Sequence, residues 1–370
     1  MIVVFHKDAP LDMFAPMYRA DDRAANDPAG WNYLNRGVAG AVQALERRDG
    51  FRADHVYSAA IRGFAARLTA RQIADLQNDS NVAFLERDGE AHAVAQSIPW
   101  GIGAIGATTS STLAGNGEGA VSNVNVYVID TGIALHADLN RVAHVNFAGG
   151  LNNDCHGHGT HVAGTAAAKD NTSDVVGVAP GAPLTGVKVL GCNGSGSMSA
   201  VTKGVDWVTA NRVLPAVANM SLGGGVSEAL DTAVRNSVAS GVFYVLAAGN
   251  SGADACNSSP ARAGKDNGIM TVAAVDSAGV EASWSNYGSC VDVWAPGVSV
   301  LSTRRGGGTT TMSGTSMASP HGAGSGALYL SKNTGSSPAD VEKALTDAAV
   351  ATGASSKDGR AVKLLKVSGF

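Results

Sequence analysis

Val124-Asn125-Val126-Tyr127-Val128-Ile129-Asp130-Thr131-Gly132 sets five apolar side chains in a run of six residues, then stops on a carboxylate and a glycine. An apolar run that short, rich in valine and without strict alternation, predicts a strand buried on both faces of a parallel sheet. Gly186–Leu190, Val217–Leu222, Val242–Ala248 and Ile269–Val275 repeat the pattern, and Val201–Ala210 and Leu230–Ser240 between them show helical spacing. Strands alternating with helices in this way predict an α/β fold with a doubly wound, mostly parallel sheet. Sites in such sheets lie at the carboxyl ends of the strands, so Asp130 is the first polar residue to weigh.

Residues 1–93 differ in kind. They carry 24 of the 58 charged residues but only 6 of the 47 glycines. Their order reads β-α-β-β-α-β: a strand at Ile2–Phe5, a helix over Trp31–Arg47, paired strands at His55–Ala60 and Gly63–Leu68, a helix opened by a Thr69-x-x-Gln72 capping box, and a strand at Val82–Glu86. This predicts a small ferredoxin-like α+β domain over 1–93, ahead of a second domain over 94–370. The chain is 45% apolar with a net charge of -4, which points to neither nucleic acid nor an anionic membrane as a partner. No apolar run approaches the roughly 18 residues that span a bilayer. Met1-Ile2-Val3-Val4-Phe5 enters a strand directly, without the pattern of a signal peptide.

Three further segments carry chemistry. His156-Gly157-His158-Gly159-Thr160-His161 concentrates imidazoles, but no helix-spaced pair has the glutamate of a zinc hydrolase. A neutral imidazole acting as a general base suits the glycine-flanked stretch better. Gly314-Thr315-Ser316-Met317-Ala318-Ser319-Pro320-His321 sets a serine after a glycine at a helix start, and Pro320 is expected to fix that start just before itself. Alone, Asp130 would read as a turn or cap residue and Ser316 as an N-cap. Together they run Asp…His…Ser. The α/β-hydrolase order is Ser…Asp…His with G-x-S-x-G, and here the fifth position is Ala318.

Val128-Ile129-Asp130-Thr131-Gly132, His158-Gly159-Thr160-His161-Val162-Ala163-Gly164 and the Gly314–His321 segment resemble the three catalytic motifs of the subtilases, in the same order. The resemblance implies Ser316 as nucleophile, His158 as base and Asp130 as its orienting carboxylate in a broad-specificity serine endopeptidase. It makes Asn250 the side-chain donor to the oxyanion beside the Ser316 N–H. Gly194-Ser195-Gly196 and Ser221-Leu222-Gly223, nearly free of large side chains, read as strands that pair with an extended peptide. By the same likeness Ala248 and Gly249 contact substrate.

Four cysteines allow three connectivities. Likeness to the proteinase K/aqualysin-like branch implies Cys155–Cys192 and Cys256–Cys290, each worth about 3–4 kcal/mol through loop closure. It also implies a structural calcium ion at Asp292 with the carbonyls of Asn267 and Ile269. Residues 1–93 resemble an inhibitor-type propeptide, with Tyr57-Ser58 and Gly63-Phe64-Ala65-Ala66-Arg67-Leu68 carrying much of the likeness. The expected protein is a secreted, monomeric zymogen. It cuts itself between Ala93 and Val94 and has its own propeptide as intramolecular inhibitor. An intracellular subtilase with free thiols and a catalytically silent binding protein are the alternatives.

Overall fold

Valines 126 and 128 of strand β5 (Asn125–Asp130) sit in one hydrophobic core of the computed structural model, and Tyr127 and Ile129 sit in another. That period of two puts successive side chains on opposite faces of a sheet. Residues 1–19, 35–89 and 96–370 are described, in two units, Met1–Ala93 and Val94–Phe370.

In the first unit β1 (Ile2–Phe5), β2 (Ala53–Tyr57), β3 (Gly63–Ala66) and β4 (Val82–Glu86) form an antiparallel sheet in the order β2-β3-β1-β4. Val3, Phe5 and Phe64 from this sheet share a core with Val38, Val42 and Leu45 of helix Arg36–Asp49. Asn35 starts that helix by accepting from Gly37 N and Val38 N, and Gly50, at φ 70°, ends it. The helix therefore starts later than the expected Trp31; residues 31–34 lie outside the described ones. Thr69 and Gln72 make the reciprocal capping box of helix Ala70–Gln77. Leu11–Met17 forms a 3-10 turn that the sequence did not announce.

The second unit is built on nine strands, ordered β14-β15-β11-β10-β9-β8-β5-β7-β6. Beyond β5 they are β6 (Arg141–Asn146), β7 (Leu184–Lys188), β8 (Ala216–Met220), β9 (Val242–Ala247), β10 (Ile269–Val275) and β11 (Val293–Pro296). A β12 (Val300–Thr303) to β13 (Thr309–Met312) hairpin stands apart, and β14 (Val350–Ser355) and β15 (Ala361–Leu364) close the edge. All neighbouring pairs in the large sheet are parallel except β14 with β15. One face buries Val217, Val245 and Val272 with helix Thr315–Lys332. The other buries Ala218, Tyr244 and Leu246 with helices Met198–Asn211 and Glu228–Ala239. Each fully buried Val or Leu contributes about 1.5–3 kcal/mol, and burial on both faces is why these strands show no alternation in sequence.

Strands β7 and β8 each end two residues before the expected Leu190 and Leu222. Those leucines are apolar because they line a cavity, and apolarity alone could not separate the two uses. Strand β6 escaped notice because it is a sheet edge with exposed Val142 and Ala143 and so lacks a buried-strand pattern. Pro320 does not mark the helix start either, since helix Thr315–Lys332 begins five residues before it.

Candidate active site

Asp130, the last residue of β5, is fully buried, and its carboxylate accepts His158 Nδ1–H at 2.8 and 3.0 Å and Thr131 N–H at 2.6 Å. The bond fixes the tautomer and leaves Nε2 of His158 as a lone pair. Burial pushes the His158 pKa down. The charge and hydrogen bond of Asp130, with the charge of Asp154, outweigh it and hold the imidazole above its ordinary value.

His158 opens helix His158–Ala167 directly after Gly157, which stands at φ 107°, a left-handed conformation that a side chain would strain. Asp154 builds this corner. It accepts from Thr131 Oγ1 (2.9 Å), His156 N (3.0 Å), Gly157 N (2.8 Å), Thr160 N (3.0 Å) and Thr160 Oγ1 (2.5 Å). One carboxylate thus ties the Asp130 turn to the His158 turn. Beneath them the fully buried Lys188 donates to Thr131 O (2.9 Å) and Leu190 O (2.7 Å). The sequence reading missed both residues. The signals were present: an aspartate just ahead of the histidine run, and a lysine ending an apolar strand.

Ser316 lies in the first turn of its helix and shares a cavity of about 460 Å³ with His158. Its hydroxyl donates to Ser221 O at 3.1 Å, so in this resting arrangement its proton is not directed at His158. Such bonds commonly tighten only when substrate arrives.

Asn250 follows β9. Its Oδ1 accepts from Thr315 N (2.8 Å) and Thr315 Oγ1 (2.9 Å), and that hydroxyl accepts from Gly249 N (3.0 Å). With Oδ1 so engaged, Nδ2 is the outward group. A methyl on Gly314 would lie 3.5 Å from Asn250 Nδ2 and 3.6 Å from Ser316 N, so the two donors face one small space. Asn286, also unforeseen, holds the Asn250 loop by donating to Ala248 O and accepting from Ser251 N and Ala253 N.

Gly194-Ser195-Gly196 and Ser221-Leu222-Gly223 line the larger cavity. Leu222, Gly223, Ala248, Gly249 and Asn250 line a second of about 250 Å³, and Ser316 borders both. His156 is exposed at the rim, its ring 6.3 Å from that of His158. His161 is buried inside its helix with Nε2 3.0 Å from Val300 O, away from the cavity. Disulfides join Cys155 to Cys192 and Cys256 to Cys290, with Cα separations of 4.9 and 5.4 Å. The first ties the His158 loop to the Gly194 loop. Ala93 and Val94 lie outside the described residues.

Asp292 accepts Thr271 N–H at 2.7 Å. Burial, then the nearby Glu342 carboxylate, pushes its pKa well up, and Thr271 and Arg360 oppose this only in part. Two acids crowded in a low dielectric fit a hard cation held through oxygen. Among the described residues no group of three or more His, Cys, Asp or Glu side chains could hold a metal, so such a cation would need main-chain carbonyls as well. No helix among them is long and apolar enough to cross a membrane.

Residues 121–364 match the model of the Subtilase family, and residues 2–93 match that of Peptidase inhibitor I9. An extracellular serine proteinase of Thermus sp. (strain Rt41A) is 46% identical over 311 residues, covering 80% of this chain and 73% of that one. Alkaline serine exoprotease A of Vibrio alginolyticus is 42% identical over 87% of this chain, which spans 62% of that relative's length. Subtilisin E of Bacillus subtilis (strain 168) is 42% identical, covering 79% of this chain and 77% of its own. The crystal structure of a cold-adapted subtilisin-like serine proteinase superposes with a TM-score of 0.64 at 43% identity, over 72% of this chain and 97% of that one.

Proposed function

Because the chain belongs to the subtilase family and is a serine endopeptidase carrying an I9 propeptide domain, we propose that Asp130, His158, Ser316 and Asn250 perform its chemistry. The observation that carries the assignment is His158, locked to buried Asp130 at 2.8 Å and lining one cavity with Ser316.

An extended peptide pairs with the backbone of Gly194–Gly196 and Ser221–Gly223, which gives affinity with little demand on side chains and hence broad specificity. Nε2 of His158 takes the Ser316 proton as Oγ attacks the scissile carbonyl carbon. Asn250 Nδ2 and Ser316 N–H receive the negative oxygen, and Asp130 stabilises the imidazolium. The proton then passes from Nε2 to the leaving amine and the C–N bond breaks, leaving an acyl group on Oγ. Water then attacks the acyl carbon as His158 takes its proton, the C–Oγ bond breaks, Ser316 Oγ takes that proton back from His158, and the product departs as a carboxylic acid.

The I9 segment is the intramolecular inhibitor, removed by cleavage between Ala93 and Val94. Support comes from the charge and glycine shift at that point, and from a small-residue stretch that a strand-pairing cleft accepts. Secretion is supported by the two disulfides and by the extracellular Thermus relative. A calcium ion at Asp292, with the carbonyls of Asn267 and Ile269, would neutralise the buried acid there and stabilise the fold. The mature enzyme acts as a monomer.

A fluorophosphonate should label Ser316 alone, as mapped by peptide sequencing, and His158→Ala should nearly abolish labelling. Ser316→Ala should remain one full-length chain, whereas the parent's large fragment should begin within residues 91–97. Labelling at another residue, or clean processing of Ser316→Ala free of other proteases, would overturn the assignment.

A further inference from the structure

Pro320 lacks the N–H that, in an unbroken helix, would bond the carbonyl four residues back. That carbonyl belongs to Ser316, and it is not left bare: Ser221 Oγ donates to Ser316 O at 2.8 Å. Ser221 Oγ in turn accepts from Asn219 Nδ2 at 2.9 Å, and Ser319 Oγ donates to Asn219 Oδ1 at 2.7 Å. Asn219, Ser221 and Ser319 are all buried, with exposures of 0, 2 and 0%. The chain has one direction throughout. Ser319 fixes which way the Asn219 amide faces, and the amide leaves the Ser221 hydroxyl only its proton to offer. The Ser316 carbonyl accepts that hydrogen bond.

We infer that Ser221, Asn219 and Ser319 are positioning residues for the nucleophile, acting through a carbonyl that Pro320 sets free. The inference rests on Ser316 being the nucleophile. Its own residue already supplies Oγ and one oxyanion N–H, and both move with its backbone torsions. Anchoring Ser316 O to the end of β8 fixes those torsions against the strand that also offers Ser221 O to the Ser316 hydroxyl. Displacement of a reacting atom by about 1 Å can cost on the order of 10²-fold in rate. A hydrogen-bonded clamp at this residue therefore has work that a generic buried hydroxyl lacks. Ser325, in the same helix, provides the contrast: its Oγ merely donates to His321 O, four residues back, at 2.7 Å.

The test uses the mature enzyme, with concentrations set by active-site titration so that unfolded material does not count. Parent, Ser221→Ala, Ser319→Ala, Ser319→Thr, Ser325→Ala, Pro320→Ala and the double variant Ser221→Ala/Pro320→Ala are compared. Each is assayed for kcat and KM on a peptide amide and for the rate of fluorophosphonate labelling of Ser316. Ser221→Ala should lower kcat and the labelling rate by about 10- to 100-fold with KM changed less than about threefold. Pro320→Ala returns an N–H to Ser316 O, so the double variant should recover at least tenfold of that loss. If Ser221→Ala fails to mature, Ser319→Ala should show a loss of the same kind, about 3- to 10-fold, with Ser319→Thr near the parent. Ser325→Ala should leave kcat unchanged. Loss without rescue by Pro320→Ala, or no loss at all, overturns the inference while labelling of Ser316 in the parent keeps the nucleophile assignment. Absence of that labelling would instead remove the assignment itself.

Discussion

His161 and His321 are fully buried in the catalytic domain, and each has one ring nitrogen without a hydrogen-bond partner among the described residues. Burial, opposed in part by bonds to Val300 O and Met317 O, pushes both imidazoles from 6.5 down to about 4. The unfolded chain therefore takes up these protons first as the pH falls. The stabilisation is intact above pH 6.5 and is lost progressively between 6.5 and about 4. At pH 5 each histidine has lost about 1.5 pH units of linkage, or about 2 kcal/mol. The perturbation is His161→Gln, which keeps a donor for Val300 O, and His321→Asn, which keeps one for Met317 O, each in a Ser316→Ala background to prevent self-digestion. Guanidinium unfolding at pH 8 and pH 5 gives the stability difference from the background. Both variants should lose stability at pH 8, because their packing is poorer. That deficit should shrink by about 2 kcal/mol at pH 5, because the variants have no proton to take up. The raised carboxyls Asp138, Asp231, Asp292 and Glu342 push the other way, but they are common to both proteins and cancel. A deficit equal at both pH values would refute the linkage.

Asn250→Ala should lower kcat by about 10²–10³ with KM little changed, the loss characteristic of the side-chain oxyanion donor in subtilisin, as measured by steady-state kinetics. Asp154→Asn removes a charge that raises the His158 pKa. Since the base must be neutral, the acid limb of the kcat/KM profile should move to lower pH, and a limb moved upward would contradict the electrostatic role. Calcium should raise the melting temperature of the parent through preferential binding to the native state. Asp292→Ala should abolish most of that rise with fluorophosphonate labelling intact, and no rise in the parent would end the calcium reading.

The strands of the large sheet were legible because burial on both faces leaves nothing but apolar residues to choose. The residues proposed to react stood out as candidates because each sits where a strand or helix ends or begins: Asp130 closing β5, His158 after Gly157, Ser316 after Gly314. What stayed hidden has a common physical character. Lys188 grips Thr131 O and Leu190 O, Asn286 grips Ala248 O, and Ser221 grips Ser316 O. A carbonyl is present at every residue, so the partner position carries no mark of the contact in its side chain. Pro320 misled for a related reason. Its effect on the helix is offset by a side chain 99 residues earlier in the chain, and no local rule could place that compensation.

The buried charges at the base of the site also explain why a histidine suits it. Asp130 and Asp154 bring two negative charges under His158, and Lys188, coupled to both, brings one positive charge. With His158 neutral the cluster has net charge -1; in the proposed mechanism the imidazole takes the Ser316 proton, the cluster becomes neutral and the negative charge passes to the oxyanion. The buried carboxylates therefore favour the imidazolium that this step would form. Without Lys188 the two carboxylates would lose a neighbouring positive charge, and Thr131 O and Leu190 O would lose their buried donor. Without Asp154 the imidazolium would be less stable, the turn carrying His158 would lose four hydrogen bonds, and the Asp130 turn would lose one. The carboxylates that hold the His158 imidazole in place are thus the same groups that raise its proton affinity.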